Sequence, residues 1–353
     1  MSSDMVITTG GATGTPVAPP ARPAASVPGT SGASRMPRGD RAARSAAGRG
    51  APDSRRPEAA WRRRDRRWGY VFVAPQLIGM AVFVLLPFVA SLVLAFTSWD
   101  GLTELTWVGF ENFTAQLQDE LLLRSIVNTL LIALITVPVG LGLAVLIAVA
   151  LEKLKTRTLY LILFFAPVVT STVAVAMIWQ QMFRVDGVLS TTIATVFGVA
   201  PPDWLGDPAL ALLAVCIVSI WSSLGLNVII FLAGLQNISP SVIEAARIDG
   251  AGAWRLFRSI RMPLLSPIVF FSSIVAFISS LQTFDTVFVL TADAGPDNAT
   301  RTIVYHIYDL GFGRFEFGPS SAASVILLVL TLVITAIQFG VQKKFVHYED
   351  GAA

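Results

Sequence analysis

The stretch Ile238-Ser-Pro-Ser-Val-Ile-Glu-Ala-Ala-Arg-Ile-Asp-Gly-Ala-Gly-Ala-Trp-Arg-Leu-Phe-Arg-Ser-Ile-Arg-Met-Pro-Leu-Leu265 is the one long polar interruption that must face the cytoplasm in a chain of apolar segments. Ser239 followed by Pro240 suits a helix start, with Ser as N-cap and Pro at the first helical position, where its missing N–H costs nothing. Ser241 with Glu244 three residues on offers a competing capping box, and the residues alone leave both open. Gly250 and Gly252 stop this short helix. A second short helix, about Ala253 to Arg261, is expected to end before Pro263. In it Trp254 and Phe257 share one face, and Arg255, Arg258 and Arg261 another.

Outward from this stretch, the composition is that of an integral membrane protein: 54% of residues are hydrophobic and 14% charged, far from soluble averages. The expected fold is all-α and polytopic. Six mostly apolar runs are each long enough to cross a bilayer core. They are roughly Tyr70–Thr97, Ile126–Leu151, Leu159–Phe183, Ala209–Leu235, Ser266–Phe284 (or on to Leu290) and Ala322–Val341. Residues 1–68 hold 13 Arg against five acidic groups, a net of +8 that leaves the rest of the chain at −5. Rich in Ala, Pro, Gly, Ser and Arg, this tail has no apolar run to bury and reads as disordered up to about Ala60. The cluster Arg62, Arg63, Arg64, Arg66 and Arg67 abuts the first span and reads as a cytoplasmic anchor under the positive-inside rule, in preference to a nucleic-acid or anionic-lipid site. Lys and Arg then alternate between loops. The Glu152–Thr158 loop has three, the 238–265 loop four, and Lys343–Lys344 end the last span; the opposite loops carry only Arg124, Arg184, Arg301 and Arg314. Under the positive-inside rule both termini, including the short tail 346–353, and the 238–265 loop face the cytoplasm.

Glu244, Ala245, Ala246, Gly250 and Pro263 match the spacing of the "EAA" loop of membrane subunits of binding-protein-dependent ABC importers, and the chain resembles that family. The Ala245–Ala251 form, with Asp249 before Gly250, is typical of its carbohydrate-uptake branch, the maltose and glycerol-3-phosphate type. Further matches run in order through residues 69–345: Gly69-Tyr70-Val71-Phe72-Val73-Ala74-Pro75, Trp107 to Phe113, Asn128-Thr129, Leu232 to Gln236, and Leu290-Thr291 followed by Gly295-Pro296. In the last of these Ala294 replaces the first glycine of the usual Gly-Gly-Pro. The resemblance implies a permease of the prokaryotic plasma membrane whose coupling helix, at Glu244, Ala245, Ala246, Asp249 and Gly250, sits in a groove of a cytoplasmic ATPase. It also implies a second homologous permease, an ATPase pair holding ATP and Mg, and an extracytoplasmic solute-binding protein. An amphipathic helix lying on the membrane surface is the plain alternative, but it needs no Glu-Ala-Ala and Gly at this spacing.

Between the span ends no Asp, Glu, Lys, Arg or His occurs apart from Asp285 at the outer end of span five. A proton- or sodium-driven carrier usually needs such a residue. No phosphate-cradling glycine loop, metal cluster or catalytic dyad is legible, so neither an enzyme nor a bound cofactor is expected in this chain. The single Cys216 lies in an apolar segment and builds no disulfide framework. A polar pathway must therefore come from uncharged side chains: Asn128, Gln180, Gln181, Asn227, Gln236 and Gln282, with Ser222, Ser223, Ser279, Ser280 and Thr283. Amides donate and accept together, which suits hydroxyl-rich solutes, and the faces of Trp221, Phe284 and Phe288 could pack on a sugar ring. Interhelical hydrogen bonding is the competing use of every one of these polar groups. The chosen pathway residues are Trp221, Gly225, Asn227, Gln282, Phe284 and Asp285; Asp285 could equally cap a helix or pair with an outer-loop arginine. The function expected is the permease of an ATP-driven sugar importer. The alternatives are an ATP-independent facilitator, or an ABC permease for a non-sugar solute.

Overall fold

A computed structural model describes residues 56–292 and 294–345, and side chains within 68–292 and 294–342. The tail reading for residues 1–55, the side chains of the Arg62–Arg67 cluster and of Lys343 and Lys344, and residues 346–353 with His347 lie outside these ranges. The fold and site below belong to the unit Val73–Ala353.

Runs of Leu, Val, Ile and Ala without water to bond their backbones must satisfy every N–H and C=O internally, which a helix does. Among the described residues, five helices are long and apolar enough to cross a membrane: α1 (Trp68–Leu94), then, after α2 (Glu111–Gln118), α3 (Glu120–Glu152), α7 (Pro208–Gln236), α9 (Ala253–Leu281) and α12 (Phe317–Gln342). A sixth exists if the bent pair Arg157–Val169 and Thr172–Phe197 is counted as one span. That pair corrects the expected straight span Leu159–Phe183. The chain forms α4 (Arg157–Phe165), a 3₁₀ turn at Ala166–Val169, α5 (Thr172–Phe183) and α6 (Val188–Phe197), and the two halves are inclined by 101°. Pro167 has no N–H to continue the ladder, and the chain is extended at Thr170 and Ser171.

Caps set several ends. Asp119 accepts from the Leu121 N–H at 2.9 Å to start α3, and Asp207 accepts from the Ala209 and Leu210 N–H groups ahead of Pro208 to start α7. The segment between α1 and α2 carries a hairpin of two-residue strands, β1 (Thr97–Ser98) with β2 (Thr106–Trp107), antiparallel with Thr97 opposite Trp107. Asn112 pins it by donating to the Ala95 and Thr97 carbonyls at 3.0 and 2.8 Å.

Two further expectations about span five are corrected. The helix that begins at Ala253 does not stop before Pro263; it widens into a π-turn at Phe257–Arg261 and runs on to Leu281. A π-turn shifts the ladder by one residue, which accommodates a proline that would otherwise clash with the carbonyl four residues back. Arg261 therefore lies inside a long apolar helix. At the other end the helix does not continue to Phe284 or Leu290. It breaks at Gln282–Phe284, and Asp285 opens a separate helix, α10 (Asp285–Leu290).

The core sits where α3 packs along α7 and α9 joins them. One buried cluster takes Val137, Leu141, Ala144 and Val145 from α3, Val228, Phe231 and Leu235 from α7, and Leu265 from α9. A second gathers Ile132, Val175, Phe183, Val215, Val287 and Leu290. The apolar windows of α1 and α12 are unburied in the isolated chain.

Candidate functional site

α8 (Pro240–Ile248) begins as Ser239-Pro240 suggested. Ser239 is the N-cap residue, and its hydroxyl lies 2.8 Å from the Ser241 hydroxyl instead of reaching the backbone. The Ser241–Glu244 capping box does not form. At the other end Gly250 has φ +78, the Ala251 N–H bonds the Ala246 carbonyl at 2.9 Å, and the Gly250 N–H bonds the Arg247 carbonyl at 3.1 Å. That pair of bonds is a Schellman closure, and it needs a residue tolerant of the left-handed region at Gly250. Val242, Ala245 and Ile248 are exposed on one side of α8, Ile248 by 86%, with Trp254 exposed beyond it. Glu244 and Asp249 are exposed as well, whereas Ala246 is buried against the rest of the chain. The two alanines therefore have opposite surroundings: Ala245 is open to a partner and Ala246 is not.

A cavity of 410 Å³ opens between α3, α7, α9 and α10. Its polar wall is Thr136 from α3, Ser219, Ser222, Ser223 and Asn227 from α7, and Ser272, Ser279 and Ser280 from α9, with Gln282, Thr283 and Asp285 at the helix break. Phe271 and Phe284 add aromatic surface. The break after Leu281 is what turns Gln282, Phe284 and Asp285 onto this wall together. Asp285 is the one ionisable group among the described residues that line it. It sits in the first turn of α10, and no described arginine pairs with it. Asn227 donates to the Ser223 carbonyl at 3.0 Å along its own helix. Hydroxyls and amides set in a mostly apolar wall, with Asp285 the one ionisable group among them, suit a hydroxyl-rich solute.

Four of the six expected pathway residues, Asn227, Gln282, Phe284 and Asp285, line the cavity; Trp221 and Gly225 do not. Trp221 meets Trp179 edge-on at 5.6 Å. Gly225 is buried where α7 crosses the Phe164 carbonyl of α4. Two other amides are bound into the packing. Asn128 donates to the Asn298 and Arg301 carbonyls at 3.0 and 3.1 Å, and Gln180 donates to the Val289 carbonyl at 2.9 Å. Thr129 accepts from the Ile303 N–H at 3.0 Å. The Asn128-Thr129 pair thus fastens the segment between α10 and the start of α11 (Ile303–Tyr308) to α3. In that segment Ala294 has φ +65 and Gly295 φ +75, so alanine occupies a conformation that glycine takes without strain.

A buried polar cluster at this end of the bundle had no local signal in the sequence. Arg301 donates to Asp309 at 2.6 Å, and Arg314 reaches the same carboxylate at 3.0 Å. Burial opposes the Asp309 charge, but the two guanidinium groups hold its carboxyl below the usual range. His306, 1% exposed, presents Nδ1 to Arg301 at 3.1 Å and Nε2 to Gln116 Oε1 at 3.0 Å. A guanidinium only donates, so Nδ1 accepts and the neutral ring carries its proton on Nε2. Burial, then the Arg301 charge, lower its pKa from 6.5 to about 4. Between those values the unfolded chain binds a proton that the folded one refuses. Stability is therefore full above pH 6.5 and falls by up to about 3 kcal/mol as the pH drops through 4. Thermal unfolding of the purified chain across this window checks it; a His306→Asn variant should lose that part of the slope, and an unchanged slope contradicts the assignment.

A family model described as "Binding-protein-dependent transport system inner membrane component" matches residues 140–347. The chain is 35% identical over 292 residues to the "Probable ABC transporter permease protein YesP" of Bacillus subtilis (strain 168), covering 82% of this chain and 94% of that one. It is 34% identical to the "Lactose transport system permease protein LacF" of Rhizobium radiobacter, over 77% and 92% of the two chains. It is 36% identical to the "sn-glycerol-3-phosphate transport system permease protein UgpA" of Agrobacterium fabrum (strain C58 / ATCC 33970), over 79% and 96%. A chain in the crystal structure of a bacterial alginate ABC transporter with its pentasaccharide-bound periplasmic protein shares the fold, with a TM-score of 0.71, 23% identity, and coverage of 80% and 97%. The chain belongs to the family of inner-membrane components of binding-protein-dependent transport systems.

Proposed function

We propose that the chain is the membrane-spanning permease of an ATP-driven importer for a sugar or sugar-like solute, with the 410 Å³ cavity on its solute path and α8 as its coupling helix. Both termini and α8 face the cytoplasm in this reading, which the alternation of Lys and Arg between loops and an even count of six spans, with the bent pair taken as one, support. The partners are a second permease, a pair of ATPase subunits that bind ATP, and an extracytoplasmic binding protein. The sugar assignment draws on the hydroxyls and amides of the cavity wall and on relatives named for lactose and sn-glycerol-3-phosphate transport. ATP binding closes the ATPase pair, α8 moves with it, and the bundle exchanges inward- and outward-facing states. The observation that carries this reading is α8 itself: a short helix whose Val242, Ala245 and Ile248 stand exposed and whose end is held by a left-handed glycine.

The test is cross-linking from Ala245→Cys in a Cys216→Ser background, since Ala246 is buried and makes a poor reporter. A nucleotide-sensitive cross-link to an ATPase subunit is expected. Its absence in an assembled, correctly oriented complex contradicts the coupling role and favours a facilitator.

A further inference from the structure

A buried ion pair stands at the opposite end of the bundle from the His306 cluster. Glu152 is the last residue of α3, and Arg261 is the last residue of the π-turn in α9. Arg261 Nη2 lies 2.8 Å from Glu152 Oε2, with the two side chains 7% and 19% exposed. The approach is off the hydrogen-bond direction: neither Glu152 Oε2 nor Arg261 Nε has a hydrogen-bond partner among the described residues. A pair in this state adds little stability, because desolvation offsets the attraction; its best-attested use is to select one arrangement over others. Its surroundings say which arrangement. Glu152 also lines a 240 Å³ hollow with Gln236 at the end of α7 and with Ile243, Glu244 and Arg247 of α8. Glu152 therefore shares this hollow with a cation and an anion carried on α8. The π-turn is the wide place in the α9 ladder, a form frequent at functional points. Both helices that the pair joins, α3 and α9, line the 410 Å³ cavity further along.

We propose that Glu152 and Arg261 are positioning residues for coupling: their ion pair fastens the π-turn at the root of α9 to the end of α3, so a displacement of α8 reaches two cavity-lining helices together. The proposal rests on the reading of α8 as the helix that meets the ATPase. The test uses the assembled complex in the Cys216→Ser background, with two reporters in separate samples. Ala245→Cys reports ATPase contact by cross-linking. Ser279→Cys, on the cavity wall of α9, reports opening by its ATP-dependent labelling with a membrane-impermeant maleimide.

Glu152→Gln keeps the shape and removes the charge. It is expected to cross-link and hydrolyse ATP, while the ATP-dependent change in Ser279→Cys labelling shrinks about fivefold or more, the low end of a typical coupling free energy. The charge swap Glu152→Arg with Arg261→Glu is expected to recover most of the response. A mere brace would lower the yield of complex and leave the response of what assembles unchanged. An unchanged response in Glu152→Gln, or a swap that assembles without recovery, overturns the proposal. If Glu152→Gln does not assemble, the swap alone decides, and failure of both to assemble makes the pair a brace and overturns it too. Loss of the Ala245→Cys cross-link with the pair intact overturns the coupling reading itself, and this proposal with it.

Discussion

Replacing Gly250 by valine is expected to uncouple the permease: ATP hydrolysis continues, and the ATP-driven change in labelling of Ser279→Cys falls by about 5–30-fold. The reason is backbone conformation alone. Gly250 has φ +78, and a Cβ built on it meets nothing within 4 Å. There is no clash to relieve, only the left-handed conformation, which costs an L-residue about 1–2 kcal/mol and a β-branched one more. Valine therefore favours a different turn. That turn loses the Ala251-to-Ala246 and Gly250-to-Arg247 bonds, and α8 is redirected relative to the root of α9. Asparagine tolerates this region better than other side chains, so Gly250→Asn should retain most of the response. Since α8 is short and exposed, the bundle should fold in both variants, and equal yields separate uncoupling from misfolding. A normal response in Gly250→Val would show that the turn is not part of the coupling path.

This turn was legible in the sequence because it is local: a proline-started helix, small residues and a glycine at the right spacing determine it over about a dozen residues. The choice of helix start was not, since Ser239 and Ser241 offer equivalent hydroxyls; the structure starts the helix at Pro240 and spends both hydroxyls on one another. Pro263 does not end its helix as expected because a π-turn accommodates it, and nothing in the residue types announces that turn. Among the amides, Asn227 and Gln282 reached the cavity wall while Asn128 and Gln180 serve the packing. An amide looks the same in sequence whether it faces a solute or a neighbouring carbonyl. Only the position of the helix break after Leu281 separates these cases, and that break depends on tertiary contacts. The contacts of His306 with Gln116 and Asp119 span nearly two hundred residues, beyond the reach of any spacing argument. The resemblance to a family supplied order along the chain, but the role of Gly225 needed coordinates.

Gly225→Val is expected to remove most of the folded permease from the membrane, a larger effect on stability than any other single change considered. A Cβ on Gly225 would overlap the carbonyl oxygen of Phe164, stand 2.5 Å from its carbonyl carbon and 3.0 Å from Phe165 Cα. All three are backbone atoms of α4, next to the turn at Ala166–Val169, so no rotamer change can absorb the intrusion. Within a membrane, helices associate through close packing instead of the hydrophobic effect, which makes small residues at crossings disproportionately important. Forcing α4 away from α7 costs about 1–3 kcal/mol or more by analogy with overpacked cores. It would also withdraw Phe164 and Leu161 from the cluster around Val228 and Phe231 that they pack against. Even Gly225→Ala should reduce yield. Gly142, also in a long helix but with nothing within 4 Å of an added Cβ, is the control: Gly142→Ala should be neutral or slightly favourable, because alanine is the better helix former. Fluorescence-detected gel filtration of the four chains reads the outcome. Wild-type yield and elution for Gly225→Val would mean that α4 and α7 do not meet at this glycine, and would return Gly225 to consideration as part of the solute path.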